Sequence, residues 1–222
     1  EEYSLSDGAD FNSRLPEPRT CPLAHYLGVL GDTGLSAYFG LLDIGRPRPG
    51  ETVLVSAAGG AVGNVVGQIA KIQGARAVGI AGSDEKCERL VNELGFDAAV
   101  NHRSANLAND IASACVEGVD VYFDSVGGPL LETVLWHIAQ GARIVMCGAV
   151  ASYNATEPVS GPGNLFQLVT RQALMQGYLT HLAEHRYAEA RGVITQWLND
   201  SKLKNVEYRL HGIDQVGQAF CD

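Results

Sequence analysis

The 222-residue chain reads as an α/β protein built on a doubly wound parallel sheet. Three observations carry that reading. Short apolar runs alternate with stretches whose apolar residues recur at helical spacing. The runs lack the in–out alternation of a half-solvated strand, so both of their faces are covered. Five or six such strand–helix units follow one another, which calls for helices on both faces of a parallel sheet.

The elements follow in order. Residues 1–23 are polar and turn-rich, with Pro16, Pro18 and Pro22. Ala24–Asp43 is an apolar helical stretch that Gly28, Gly31 and Gly34 divide into two pieces, and Gly45–Gly50 is a turn. Thr52–Ser56 is β-branched and predicts a first buried strand. Gly60–Gly74 carries Val62, Val65, Val66, Ile69 and Ile72 on one helical face. Ala77–Ala81 is a second strand. Asp84–Leu94 is a helix, with Ser83 as N-cap and acids in its first turn. Ala98–Asn101 (strand), Ala105–Cys115 (helix), Val119–Asp124 (strand), Leu130–Ile138 (helix) and Ala142–Cys147 (strand) continue the alternation. Residues 148–163 form a loop rich in Gly, Ser, Asn and Pro, long enough to suggest function. Phe166–Gln172 and Ala183–Asn199 read as helices, Met175–Leu179 as a sixth strand, and Val206–Leu210 as a strand of unassigned sheet.

Composition bounds the partners. An apolar fraction of 46% supports a real core, and a net charge of −9 argues against nucleic acid or an anionic membrane as the main partner. No apolar run approaches a membrane span. Cys21, Cys87, Cys115, Cys147 and Cys221 are scattered, without C-x-x-C or a histidine at zinc spacing, so they read as reduced thiols of a cytoplasmic protein and no metal site is expected.

The strongest local signal is Ala57-Ala58-Gly59-Gly60-Ala61-Val62-Gly63, between a strand and a helix. Small residues let the backbone approach a pyrophosphate, and the helix N-terminus offers N–H groups and partial positive charge. The fingerprint is A-x-G-x-x-G from Ala58, with Ala where Gly is common. Alone it also fits a tight turn in any α/β protein; the strand before it and the amphipathic helix after it favour dinucleotide binding. An NAD site usually places Asp or Glu at the end of the second strand. Here Ile80-Ala81-Gly82-Ser83 stands there, leaving nothing to repel a 2′-phosphate. Lys86, one turn into the next helix, can reach back to the same place, with an ordinary solvated helix lysine as the alternative, and His102 and Arg103, after the third strand, could close the same pocket. NADP(H) is therefore the expected cofactor.

Six ordered runs carry a family resemblance: GLSAYFGLLDIG (34–45), VSAAGGAVGNVVGQIAK (55–71), GIAGSDEKCERL (79–90), ELGFDAAVNHR (93–103), VYFDSVGG (121–128) and CGAVASYNAT (147–156). The chain resembles the prostaglandin reductases and NADPH-dependent curcumin reductases. These alkenal/one oxidoreductases form a zinc-independent branch of the medium-chain dehydrogenase/reductases. The resemblance implies a Rossmann domain at 24–204 that binds NADP(H). It makes residues 1–23, with EYSLSDG, and 205–222 remnants of a GroES-like domain that supplies much of the substrate pocket. It further implies a homodimer through the sheet edge, and little activity from this fragment alone.

Position by position, the resemblance sets Ala58, Gly60, Ala61 and Val62 at the pyrophosphate and Gly82, Ser83 and Lys86 at the 2′-phosphate. His102 stands where Tyr is frequent, with Arg103 beside it. Val126 and Gly127 fall by the nicotinamide, and Cys147 and Gly148 are further cofactor-binding candidates. Tyr153 and Asn154 match an S-x-Y-N element near nicotinamide and substrate. Ser125 and Asp32 depart from the Asn and Met common in the family.

The implied reaction is hydride transfer to the carbon–carbon double bond of an α,β-unsaturated ketone or aldehyde. It needs a hydrogen-bond donor where charge builds on the carbonyl oxygen. Tyr153 is the candidate catalytic residue; an ordinary loop tyrosine is the alternative. Tyr122 and Phe123 read as core, and Trp136, His137 and Trp197 as helix packing. A quinone reductase, and a nucleotide-binding domain without catalysis, remain open as alternatives.

Overall fold

The computed structural model describes residues 21–157 and 159–221. Six parallel strands, β1 (Thr52–Val55), β2 (Arg76–Ala81), β3 (Ala98–Asn101), β4 (Val119–Asp124), β5 (Ile138–Met146) and β6 (Leu174–Gly177), form one sheet in the order β3-β2-β1-β4-β5-β6. The order reverses between β1 and β4, whose register pairs Val53 with Val121 and Val55 with Phe123. That reversal is the doubly wound topology expected, and it opens a crevice at the carboxyl ends of the two strands.

Helices cover both faces. On one lie α1 (Asp32–Phe39), α2 (Ala61–Ile72) and α7 (Tyr187–Asn199), packed with Val53, Val55, Val121 and Phe123. On the other, α4 (Leu107–Ala114) and α5 (Gly128–Leu135) bury Ile111, Leu131 and Leu135 against Leu54, Tyr122 and Ile144. Residues alternate between the layers along each strand, as pleating requires, and each fully buried aliphatic side chain contributes about 1.5–3 kcal/mol. Helix α3 (Asp84–Leu94) follows β2; α6 (Phe166–Thr170) and α8 (Val216–Cys221) are short. A Cβ added at Gly67 of α2 would lie 1.8 Å from Phe96 Cζ, so this helix packs flush only because Gly stands there.

Several bounds differ from the sequence reading. The first helical stretch is a 3₁₀ turn (Leu23–Leu27), then α1, then a π-helical segment (Gly40–Gly45). Helix α5 is shifted toward its N-terminus: Gly127 (φ 68°) and Gly128 (φ 56°) make the turn and Pro129 sits in the first helical turn. It ends at Leu135, so Ile138 belongs to β5 rather than to the helix. Trp136 consequently lies just past the helix and is 59% exposed, not packed; Trp197 does pack, its ring 6.0 Å from that of Tyr38. Val206–Leu210 joins no sheet among the described residues. Side chains hold its approach instead: Lys204 N–H donates to Gln68 Oε1 at 2.8 Å, and Asn205 donates to Glu207. The expectation for EYSLSDG lies outside the described residues. No helix among the described residues is long and apolar enough to cross a membrane.

Candidate functional site

The turn after β1 is shaped by its own backbone. Ala57 adopts left-handed φ (46°), an unusual conformation for a residue with a side chain, and its carbonyl accepts from Gly60 N–H at 2.9 Å. A Cβ at Gly63 would come within 2.5 Å of that carbonyl, so the third fingerprint glycine lets α2 start against the turn. Gly60 is the extended N-cap of α2 and no side chain caps the helix, which leaves its positive end open to an anion.

Beside this turn lies a pocket of about 510 Å³. Ala57, Gly59 and Gly60 form one wall, and Ile80, Ala81 and Gly82 the end of β2. Lys86 comes from α3, His102 from beyond β3, Leu107 from α4 and Val126 from beyond β4. Pro129, Leu130 and Thr133 of α5 complete it. Apolar side chains thus line a slot whose polar end carries Lys86 and His102. The Lys86 stem lies over Gly59, where a Cβ would meet Lys86 Cδ at 3.5 Å, and its ammonium makes no hydrogen bond or ion pair among the described residues. Ser83 caps α3 as expected, its Oγ accepting from Lys86 N–H at 3.2 Å. His102 stands beside Gly82, its Nδ1 3.0 Å from the Ala81 carbonyl oxygen.

On the other side of the switch point, buried Asp124 organises the turn into α5. Its carboxylate accepts from Ser56 Oγ (3.0 Å), Tyr122 OH (3.0 Å), Val126 N–H (2.9 Å) and Gly127 N–H (3.0 Å). Burial first, and then the Asp124 charge, hold the Tyr122 phenol well above the ordinary tyrosine value, so it stays a donor. Ser56 Oγ in turn accepts from Ser125 N–H at 2.8 Å. The loop after β5 runs alongside: Cys147 and Gly148 N–H donate to the Asp124 carbonyl at 2.8 and 3.2 Å, and Val150 N–H to the Ser125 carbonyl at 3.1 Å. Tyr153 is 67% exposed; its oxygen accepts from Ala149 N–H at 3.2 Å, which leaves its own O–H free to donate.

The pocket therefore brings together Gly60, Gly82, Lys86, His102 and Val126 of the expected residues. Ala61 and Val62 lie in the first turn of α2, next to it. Gly127, Cys147, Gly148, Tyr153 and Asn154 gather by the β4 and β5 ends, outside it. Ala58 is fully buried, its N–H donating to the Ile80 carbonyl, so its side chain packs the turn rather than facing the pocket. Arg103 does not line the pocket; its backbone N–H donates to Asn101 Oδ1 at 3.0 Å. The residues that sequence reasoning missed are Ala57 and Gly59, whose neighbours Ala58 and Gly60 took the fingerprint positions, and the wall of Leu107, Pro129, Leu130 and Thr133, which nothing in the pattern separates from helix packing.

A family model described as zinc-binding dehydrogenase matches residues 61–196. The chain is 49% identical over 202 residues to the putative NADP-dependent oxidoreductase YfmJ of Bacillus subtilis, covering 90% of this chain and 60% of that protein. It is 39% identical to the NADPH-dependent curcumin reductase of Escherichia coli, covering 99% and 65%. Prostaglandin reductase 1 of Bos taurus is 40% identical, with 98% and 67% covered. Among solved structures, CurA from Vibrio vulnificus in complex with NADPH superposes with a TM-score of 0.83 at 42% identity, covering 89% of this chain and 60% of that one. The chain thus spans about 60–67% of the length of these relatives. Among the described residues no group of three or more His, Cys, Asp or Glu is placed to hold a metal ion.

Proposed function

Because the chain belongs to the zinc-binding dehydrogenase family, with prostaglandin and curcumin reductases among its relatives, we propose that it is the NADPH-binding part of a reductase acting on the carbon–carbon double bond of α,β-unsaturated ketones or aldehydes. The observation that carries this reading is the pocket itself. An uncapped helix N-terminus and a glycine cradle lie at one wall, an apolar slot beside them, and an acid-free end at Gly82 with Lys86 and His102. These residues fit NADPH: α2 takes the pyrophosphate, the slot takes adenine, and Lys86 with His102 takes the 2′-phosphate. The names of the relatives support the same cofactor and an enone-type substrate.

When bound, NADPH supplies the hydride that ends on the β-carbon of the enone. This chain's part is to hold, orient and shield. The Asp124-clamped turn, with Val126 and Gly127, and the strand-end residues Cys147 and Gly148 form the nicotinamide side. Tyr153, with its O–H unengaged, is the donor proposed for the carbonyl oxygen as it gains charge, and Asn154 flanks it. Solvent supplies the proton to the α-carbon. Residues 24–204 are read as the cofactor domain, with 1–23 and 205–222 belonging to a GroES-like part. The edge strand β6, where Leu174 is half exposed, is the proposed homodimer seam. A quinone is the alternative substrate. The test is NADPH consumption by the longer enzyme containing this chain, with an enone and a quinone side by side. A saturated ketone product supports the proposal, and turnover of the quinone alone overturns it.

A further inference from the structure

His102 sits at the pocket end with its Nδ1 3.0 Å from the Ala81 carbonyl oxygen. A carbonyl oxygen only accepts, so Nδ1 carries the hydrogen. In the neutral ring that leaves Nε2 with a lone pair and no hydrogen, and Nε2 has no partner among the described residues. An acceptor facing a phosphate dianion, whose oxygens only accept, contributes nothing. Only the protonated ring presents an N–H there.

Resting on the proposed function above, we propose that His102 reads the 2′-phosphate of the cofactor as a cation, so that binding NADP(H) is coupled to uptake of one proton by this ring. His102 is then a proton-linked specificity residue, distinct in role from Lys86. The charged groups around it are few. Lys86 shares the pocket from α3; Asp84 and Glu85 lie in the first turn of that helix, and Asp84 is engaged by Asn101 Nδ2 at 2.7 Å. Arg103 follows in the chain with its backbone tied to Asn101. Leu107 of α4, Val126 beyond β4, and Pro129, Leu130 and Thr133 of α5 bring no titratable group.

The direction follows from linkage. The phosphate raises the proton affinity of the ring, so affinity for the 2′-phosphorylated cofactor rises as pH falls through the imidazole range. The phosphate's own second ionisation, near pH 6, works the opposite way, so a comparison of variants isolates the ring.

The experiment is calorimetric titration of NADP⁺ and NAD⁺ into this chain and into His102→Gln, whose amide is a donor at every pH, at about pH 6 and about pH 8.5. The expected result is that the affinity of the wild type relative to His102→Gln grows roughly tenfold for NADP⁺ on going to the lower pH and stays flat for NAD⁺. Titrations in two buffers of different ionisation heat should show net proton uptake for the wild type with NADP⁺ and less for the variant. A ratio for NADP⁺ that stays constant with pH overturns this inference alone. NADP⁺ bound no more tightly than NAD⁺ at either pH overturns the 2′-phosphate site and with it the proposed cofactor.

Discussion

The Ser56 hydroxyl donates to the Asp124 carboxylate at 3.0 Å, joining the end of β1 to the end of β4 across the point where the sheet order reverses. The two turns that flank the candidate site are therefore one unit. Asp124→Asn keeps the volume but presents an amide to hydroxyl and N–H donors. It should lower stability by about 2–4 kcal/mol in urea unfolding, because several bonds to one buried charge are lost together. Ser56→Ala should cost less, and the double variant less than the sum of the two. Strict additivity would show that the two residues are not coupled.

Lys86→Ala should weaken NADPH binding roughly 10–100-fold, the worth of one charge-assisted contact to phosphate, and leave NADH nearly unchanged. Titrating both cofactors checks it. Equal losses for the two would place Lys86 away from the 2′-phosphate.

Glu51 anchors the turn before β1. Its carboxylate accepts from Arg143 Nη1 at 3.0 Å and from Arg48 N–H at 2.8 Å, while Arg143 Nε donates to the Gly45 carbonyl at 2.8 Å. Burial raises the carboxyl pKa, but the Arg143 hydrogen bonds and charge, with Arg48, outweigh it and hold the group below its ordinary value of 4.5. A depressed folded value gives stability that is present above the ordinary range and is lost as pH falls through the folded value. Glu51→Gln should therefore cost about 1 kcal/mol at neutral pH, and the difference from wild type should shrink in acid. Urea melts at neutral pH and in acid below the carboxyl range measure both limbs.

Tyr153→Phe in the longer enzyme should lower kcat about tenfold with NADPH affinity kept, if the phenol serves the carbonyl oxygen. Weakened NADPH binding with kcat kept would move the hydroxyl to the ribose. No change in either would leave it a loop residue whose oxygen only accepts from Ala149 N–H.

Part of the pocket lining was legible in the sequence because its signals are local. A β-branched run marked β1, and Ser83 before two acids marked the start of α3. The missing acid at Gly82 and the nearby Lys86 marked the pocket end. What was not legible depends on tertiary placement. Leu107, Leu130 and Thr133 face the slot only because of how α4 and α5 lie on the sheet, and their sequence pattern is that of core residues. Ala57 escaped because the fingerprint counts glycines, whereas the wall is made by the residue that turns left-handed. The start of β5 at Ile138 was hidden by helix-like apolar residues that run straight into the strand. Val206–Leu210 has strand composition but no ladder partner among the described residues, and composition alone does not supply one.

The contact between Gly59 and the Lys86 stem has a use in redesign. A methyl group at residue 59 would meet Lys86 Cδ at ordinary contact distance and displace nothing. A branched or aromatic side chain there would act as a lever, swinging the ammonium away from Gly82 without altering it. On the proposed 2′-phosphate role of Lys86, coenzyme preference would respond to substitutions in the glycine turn through steric leverage, with the cation itself left in place.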